Sequence, residues 1–172
     1  SMIAKSSKYP VFIYDLPPVT QAPVSLDVVT TLMKIPNITG IKTANLNMIL
    51  DMMRNDLIRK DFSVLYSGLD SFDAAIKAGI LKNLDGMFTC TPYNSKLMYQ
   101  EFENGNGKQV SKHLNNILLL RNTMAKEEIF PAYSYAMELL GCPGNYHPDF
   151  NIMVSDKLKE EVYNCMKSVK EI

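Results

Sequence analysis

Lys42, which closes the apolar run Asn37-Ile38-Thr39-Gly40-Ile41-Lys42, is the residue whose type and placement could do chemistry. A neutral primary amine attacks a ketone and forms a Schiff base, and an apolar, poorly hydrated mouth favours the neutral form of an amine. The other reading is a lysine whose stem lies along apolar surface while its head reaches water. Tyr14 closes an earlier run, Val11-Phe12-Ile13-Tyr14. A phenol at such a position can relay protons, or it can pack as an aromatic at the rim of a site.

The elements that must position these two residues are strands. Ile38 and Ile41 are β-branched, Gly40 allows a neighbouring backbone to come close, and Pro36 closes off the preceding helix. Thr43-Ala44-Asn45 opens a helical run, so Lys42 falls at the C-terminal end of its strand, where α/β folds build their sites. Ile3 to Lys8 read as the tail of a helix or a linker. The strand Val11–Tyr14 stops at Leu16-Pro17-Pro18, and Ser25 and Asp27 supply a cap and an acidic first turn for a helix carrying Leu26, Val29, Leu32 and Met33. A helix from about Ala44 to Leu57, a strand Phe62–Tyr66, a short helix from Ser71 closing near Gly79, and a fourth strand Asp85–Thr91 follow. Strand ends then fall at about Tyr14, Lys42, Ser67 and Cys90. This alternation predicts a parallel sheet with right-handed crossovers. Beyond Ser95 the pattern is helical: to about Glu103, from Lys108 to about Ala125, from about Glu128 to Leu140, and from Asp156 to Val169 with Ser155 as cap. An irregular segment is expected from Asn145. Residues 1–94 therefore read as four βα units of a half barrel, and 95–172 as the last barrel helix with a C-terminal helical region.

The totals exclude several classes of function. The chain has 172 residues, 47% hydrophobic and 21% charged, with 18 basic and 18 acidic side chains and a formal net charge of zero. There is no field of one sign to hold nucleic acid or an anionic membrane. Cys90, Cys142 and Cys165 are too scattered for a disulfide framework or a zinc site, which points to a reducing, cytoplasmic setting. Ile117-Leu118-Leu119-Leu120 is a buried helical face rather than a membrane span. Ser1-Met2 reads as a vector remnant or a boundary. A closed eight-unit barrel needs roughly 250 residues, so the pattern accounts for only part of one.

Three motifs in order and spacing, Ile13-Tyr14-Asp15-Leu16-Pro17, Gly40-Ile41-Lys42 and Tyr66-Ser67-Gly68-Leu69-Asp70, resemble the dihydrodipicolinate synthase and N-acetylneuraminate lyase family of class I, Schiff-base aldolases. The resemblance spans most of the chain. It implies an α/β fold, the C-terminal half of a TIM (β/α)8 barrel (strands 5 to 8) followed by C-terminal helices. It also implies that Lys42 condenses with the ketone of pyruvate or a related 2-oxo acid while Tyr14 relays protons during carbon-carbon bond cleavage or formation. No metal or organic cofactor is needed, and a homo-oligomer is expected. Gly68 and Asp70 match a loop that lines the polyol end of substrate in lyase-type relatives; Asp70 also suits a helix cap. Cys90 falls at the end of the eighth strand as a substrate-site or a small packing residue, in a stretch through Thr91-Pro92-Tyr93-Asn94 that resembles the lyase side of the family. His113 and His147 match no family site and read as surface or packing residues.

The departures narrow the reading. The synthase branch carries an arginine for the carboxylate of its second substrate where this chain has Val19, and Gln21 replaces a glycine. A valine cannot make a bidentate contact with a carboxylate, so a lyase or aldolase acting on another 2-oxo acid fits better. Thr43 stands where an acidic residue often follows the lysine. The paired threonines that receive the substrate carboxylate in the family have no counterpart. Two expectations result: the C-terminal half of an aldolase, weak or inactive alone, or a noncatalytic half-barrel that self-associates or pairs with a partner half to cover its open sheet edges.

Overall fold

The computed structural model describes residues 2–142 and 153–172; of the segment expected to be irregular from Asn145, residues 145–152, with His147, lie outside them. The chain divides into two compact units, Ser1–Asp85 and Gly86–Ile172.

The first unit runs α1 (Met2–Ser6), β1 (Val11–Tyr14), α2 (Pro17–Thr20), α3 (Leu26–Met33), β2 (Ile38–Thr43), α4 (Leu46–Arg54), β3 (Ser63–Tyr66) and α5 (Phe72–Lys77). Its strands form a parallel sheet in the order β1-β2-β3. Short loops and helical crossovers make this order the natural one for right-handed βα units. The Ser25 hydroxyl accepts from Val28 N at the start of α3, and Asn45 Oδ1 accepts from Met48 N at the start of α4. One face of the sheet packs on these helices, with Ile41 and Val64 joining Val29, Met33, Met48 and Met52 in the core. On the other face Phe12 and Tyr14 are exposed. Gly40 lies beneath the Phe12 ring, and a Cβ there would meet that ring and stand 2.6 Å from the Ser63 carbonyl oxygen. The Arg59 guanidinium gathers the loop that feeds β2, donating to the carbonyls of Met33, Ile35 (3.4 Å), Pro36 (3.4 Å) and Ile38 (3.0 Å).

The expected fourth strand at Asp85–Thr91 is not formed. The chain pairs with β3 earlier, through a parallel bridge between Tyr66 and Asn83 in which Tyr66 N donates to the Lys82 carbonyl and Leu84 N to the Tyr66 carbonyl. Met87–Cys90 is a short helix, α6, with Met87 and Cys90 buried and Thr89 exposed. That burial has the helical spacing, whereas a strand would bury alternate residues; a short apolar run is compatible with both until packing chooses.

The second unit is helical: α6, α7 (Pro92–Glu103), α8 (Gly107–Met124), α9 (Ile129–Leu139) and α10 (Asp156–Ser168). Val110, Leu114, Ile117, Leu120 and Met124 form the buried stripe of α8, at the spacing of one helical face. Ala132 and Ala136 on α9 are fully buried, and their small size allows close helix approach. Ser155 caps α10 by accepting from Leu158 N at 3.1 Å.

Candidate active site

Tyr14 and Lys42 are register partners on adjacent parallel strands. In-register neighbours project to the same side of a sheet, so the parity that exposes Tyr14 also carries Lys42 to the open face. Lys42 Nζ donates to Tyr14 Oη at 3.0 Å and lies 4.3 Å from the centroid of the Tyr14 ring. Tyr14 is 53% exposed and Lys42 half-buried, so a small molecule can reach both. A phenol oxygen at this distance can hand a proton to, or take one from, a group bonded to that nitrogen.

The next residues along each strand, Asp15 and Thr43, face the other way and are buried. Thr43 Oγ1 donates to Asp15 Oδ2 at 2.7 Å and accepts from Asn45 N at 3.0 Å, while Asp15 Oδ1 accepts from Val24 N at 3.0 Å. Main-chain bonds reinforce this row: Asp15 N donates to the Lys42 carbonyl, and Ser67 N to the Thr43 carbonyl. Both residues were passed over in the sequence as site components. Strand parity, applied one residue past Tyr14 and one past Lys42, is the signal that finds them.

Gly68 follows β3, and a Cβ there would overlap the Tyr66 phenol, whose oxygen is 2.6 Å from Ser71 Oγ. Glycine is thus required by close approach at this loop. Asp70 is exposed in the 3-10 turn Leu69–Ser71. Cys90 is not at a strand end: it sits fully buried on α6, its thiol directed at the Tyr133 carbonyl at 4.0 Å, and burial pushes its pKa up to about 11. Asn94 is also fully buried. Its amide nitrogen donates to the Val169 carbonyl and Glu171 Oε1, and its oxygen accepts from Asn116 Nδ2 and His113 Nδ1. Since that oxygen can only accept, His113 carries its proton on Nδ1. Among the described residues no group of three or more His, Cys, Asp or Glu is placed to hold a metal ion, and no helix is long and apolar enough to cross a membrane.

The lysine and the tyrosine thus pair at the C-terminal ends of adjacent strands of a parallel βα sheet, the end at which βα-barrel proteins build their sites. The profile of the Dihydrodipicolinate synthetase family matches residues 1–168, and the chain belongs to that family. Solved structures agree on the fold. Dihydrodipicolinate synthase DapA-2 of Bacillus anthracis superposes with a TM-score of 0.85 at 18% identity, over 96% of this chain and 57% of that one. The dihydrodipicolinate synthase of Thermotoga maritima gives 0.80 at 20% identity, over 99% and 59%. YagE, a prophage protein of the same family from E. coli K12 in complex with pyruvate, gives 0.81 at 18% identity, over 98% and 59%. The chain thus spans a little under three fifths of the length of these relatives. No curated protein sequence matches it.

Proposed function

We propose that Lys42 is a Schiff-base nucleophile for pyruvate or a related 2-oxo acid, with Tyr14 as its proton relay, in a carbon-carbon lyase or synthase. The observation that carries this reading is the 3.0 Å contact between Lys42 Nζ and Tyr14 Oη on adjacent strands. The pyruvate complex of YagE supports the substrate class. The neutral amine adds to the ketone carbon, and the carbonyl oxygen takes a proton from Tyr14 and becomes a hydroxyl. The nitrogen gives up a proton, the hydroxyl leaves as water after a second protonation, and an iminium remains. Loss of a proton from the adjacent carbon yields an enamine, which attacks an aldehyde in synthesis and is formed by carbon-carbon cleavage in the reverse sense. The iminium is itself the electron sink, so this chemistry runs through Lys42 without an organic cofactor.

Gly68 and Asp70, in the loop after β3, are assigned to the far end of the substrate. Cys90 receives no such assignment, because a fully buried thiol bonded to a helix carbonyl has no free face for a ligand. The exposed side chain of Val19 leaves the motif without a bidentate carboxylate partner, which favours a lyase or aldolase over the synthase reaction.

Borohydride trapping with pyruvate, read by intact mass and peptide mapping, tests the assignment on the wild-type chain and on Lys42→Ala. The expected result is one reduced pyruvate adduct on Lys42, lost in the variant. A chain that is folded by circular dichroism yet forms no adduct would remove the Schiff-base reading for this polypeptide.

The uncovered sheet face favours a second role beside the first. Phe12 and Tyr14 are both exposed on that face, and β1 is an edge strand. Self-association that covers the edge is expected. A monomer by light scattering at micromolar concentration would count against it.

A further inference from the structure

Resting on the Schiff-base reading of Lys42, we infer that Asp15 and Thr43 are positioning residues that set the distance between Lys42 and Tyr14 from the opposite face of the sheet. Each directly follows one member of the pair, Asp15 after Tyr14 and Thr43 after Lys42. Their side chains meet at 2.7 Å, in a site where Asp15 is 4% exposed and Thr43 is closed to solvent. This side-chain bond crosses between β1 and β2 just beyond the last register pair, Tyr14 with Lys42.

Strand ends are the part of a parallel sheet most free to splay, because the ladder stops there. A side-chain bond at that point does what the next rung would do. The two residues also fasten the outgoing chain. Asp15 Oδ1 holds Val24 N in the loop leading into α3, and Thr43 Oγ1 holds Asn45 N at the cap of α4. The Thr43 hydroxyl is used in both roles, donating to the carboxylate and accepting from the amide. Asp15 in turn uses one carboxylate oxygen for each partner. A valine at 43 has nearly the same shape and keeps neither bond, while a serine keeps both. An asparagine at 15 retains an acceptor for Val24 N but presents an NH2 group to the Thr43 hydroxyl, which must then stop donating. These three variants separate shape from hydrogen bonding.

Two readouts on the full chain test the inference. The first is the rate of borohydride-trapped pyruvate adduct at Lys42. The second uses no substrate: limiting acetic anhydride labels all amines in competition, and peptide mapping reports the reactivity of Lys42 relative to the exposed lysines. Thr43→Val is expected to slow trapping about tenfold, the order of effect that a sub-ångström misplacement produces, and to shift the relative labelling of Lys42. Thr43→Ser should stay within about twofold of wild type by both readouts, since it restores the same two bonds. Asp15→Asn should fall between them. Wild-type trapping and labelling in folded Thr43→Val would overturn the inference. So would loss of the folded state in both Thr43→Val and Asp15→Asn, because a pair needed merely to fold does not position. If wild type forms no adduct, the Schiff-base reading fails, and the labelling comparison still decides whether the Asp15–Thr43 bond governs Lys42.

Discussion

The two compact units spend their polar residues in opposite ways. In Ser1–Asp85, Lys42 and Tyr14 bond to one another on an accessible sheet face, with solvent-side capacity left over. In Gly86–Ile172, Asn94 is fully enclosed and has both ends of its amide engaged, by Val169, Glu171, His113 and Asn116. The Glu171 carboxylate goes further and accepts from Tyr93 N at 2.9 Å and Asn94 N at 3.0 Å, tying the chain's C-terminal residues to the first turn of α7. A satisfied, enclosed polar cluster specifies a helix junction, whereas an accessible, partly satisfied pair is available for chemistry. Residues that look alike in sequence, polar side chains beside a proline or at the end of an apolar run, are thereby divided into an enclosed cluster and a solvent-accessible pair.

The comparison can be broken most sharply at Asn94. Asn94→Ala should destabilise the helical unit by about 3 kcal/mol, since it leaves a buried carbonyl and two side-chain donors without partners. Hydrogen exchange read by peptide should then rise across α7, α8 and α10 with the Lys42 adduct yield unchanged; a fall in adduct yield at full folding would place chemistry in the second unit. Gly40→Ala tests the sheet in the same manner. The new methyl meets the Phe12 ring, which is half exposed and can swing, and the Ser63 backbone oxygen at 2.6 Å, which cannot. A cost of about 2 kcal/mol is expected from overpacking, measured by urea denaturation, together with slower trapping at Lys42. Arg59→Lys should cost about 1.5 kcal/mol, because an ammonium cannot reproduce the guanidinium fork over the carbonyls of residues 33–38. Its exchange signature belongs in the loop before β2 and in β2 itself, and a signature confined to the helical unit would contradict the placement.

The smallest effect is a pH dependence of the second unit. Burial, chiefly, and Lys112 beside it hold the His113 pKa below its ordinary value of 6.5, with Glu101 opposing. The unfolded chain therefore binds a proton that the folded chain resists, so stability from this group is complete above 6.5 and is lost as pH falls through the lowered folded value. Denaturation midpoints of wild type should drop on acidification through that window more than those of His113→Gln. Equal slopes would mean that the ring nitrogen on Asn94 plays no part in the acid response.

Local order was largely legible. Ser25, Asn45 and Ser155 read as caps or helix openings, and all three accept from the expected first-turn amides. The β1 boundaries at Val11 and Tyr14 coincide with expectation, β2 carries Lys42 one residue from its end, and α1 at Met2–Ser6 overlaps the stretch from Ile3 to Lys8 expected as a helix tail or a linker. The fourth strand falls elsewhere because Met87-Phe88-Thr89-Cys90 suits either period, and the residue that pairs, Asn83, lies between Leu81 and Leu84 in a short stretch of mixed polarity with no clear period of its own. Cys90, expected at a strand end as a substrate-site or a small packing residue, is fully buried on α6 instead.

What the sequence determined by itself is whatever depends on a few neighbouring residues: periodicity, caps, the strand-then-helix alternation, and the arrival of a lysine and a tyrosine at strand ends. Tertiary structure alone decided the partnerships. The β1–β2 register sets Tyr14 opposite Lys42, and parity sends Asp15 and Thr43 together on the far side. Arg59 closes on carbonyls far from it in the chain, and Glu171 reaches back to α7. Such contacts join residues separated by long stretches, and their free energy comes from burial and hydrogen bonds that exist only once the chain has closed on itself, so no local pattern announces them.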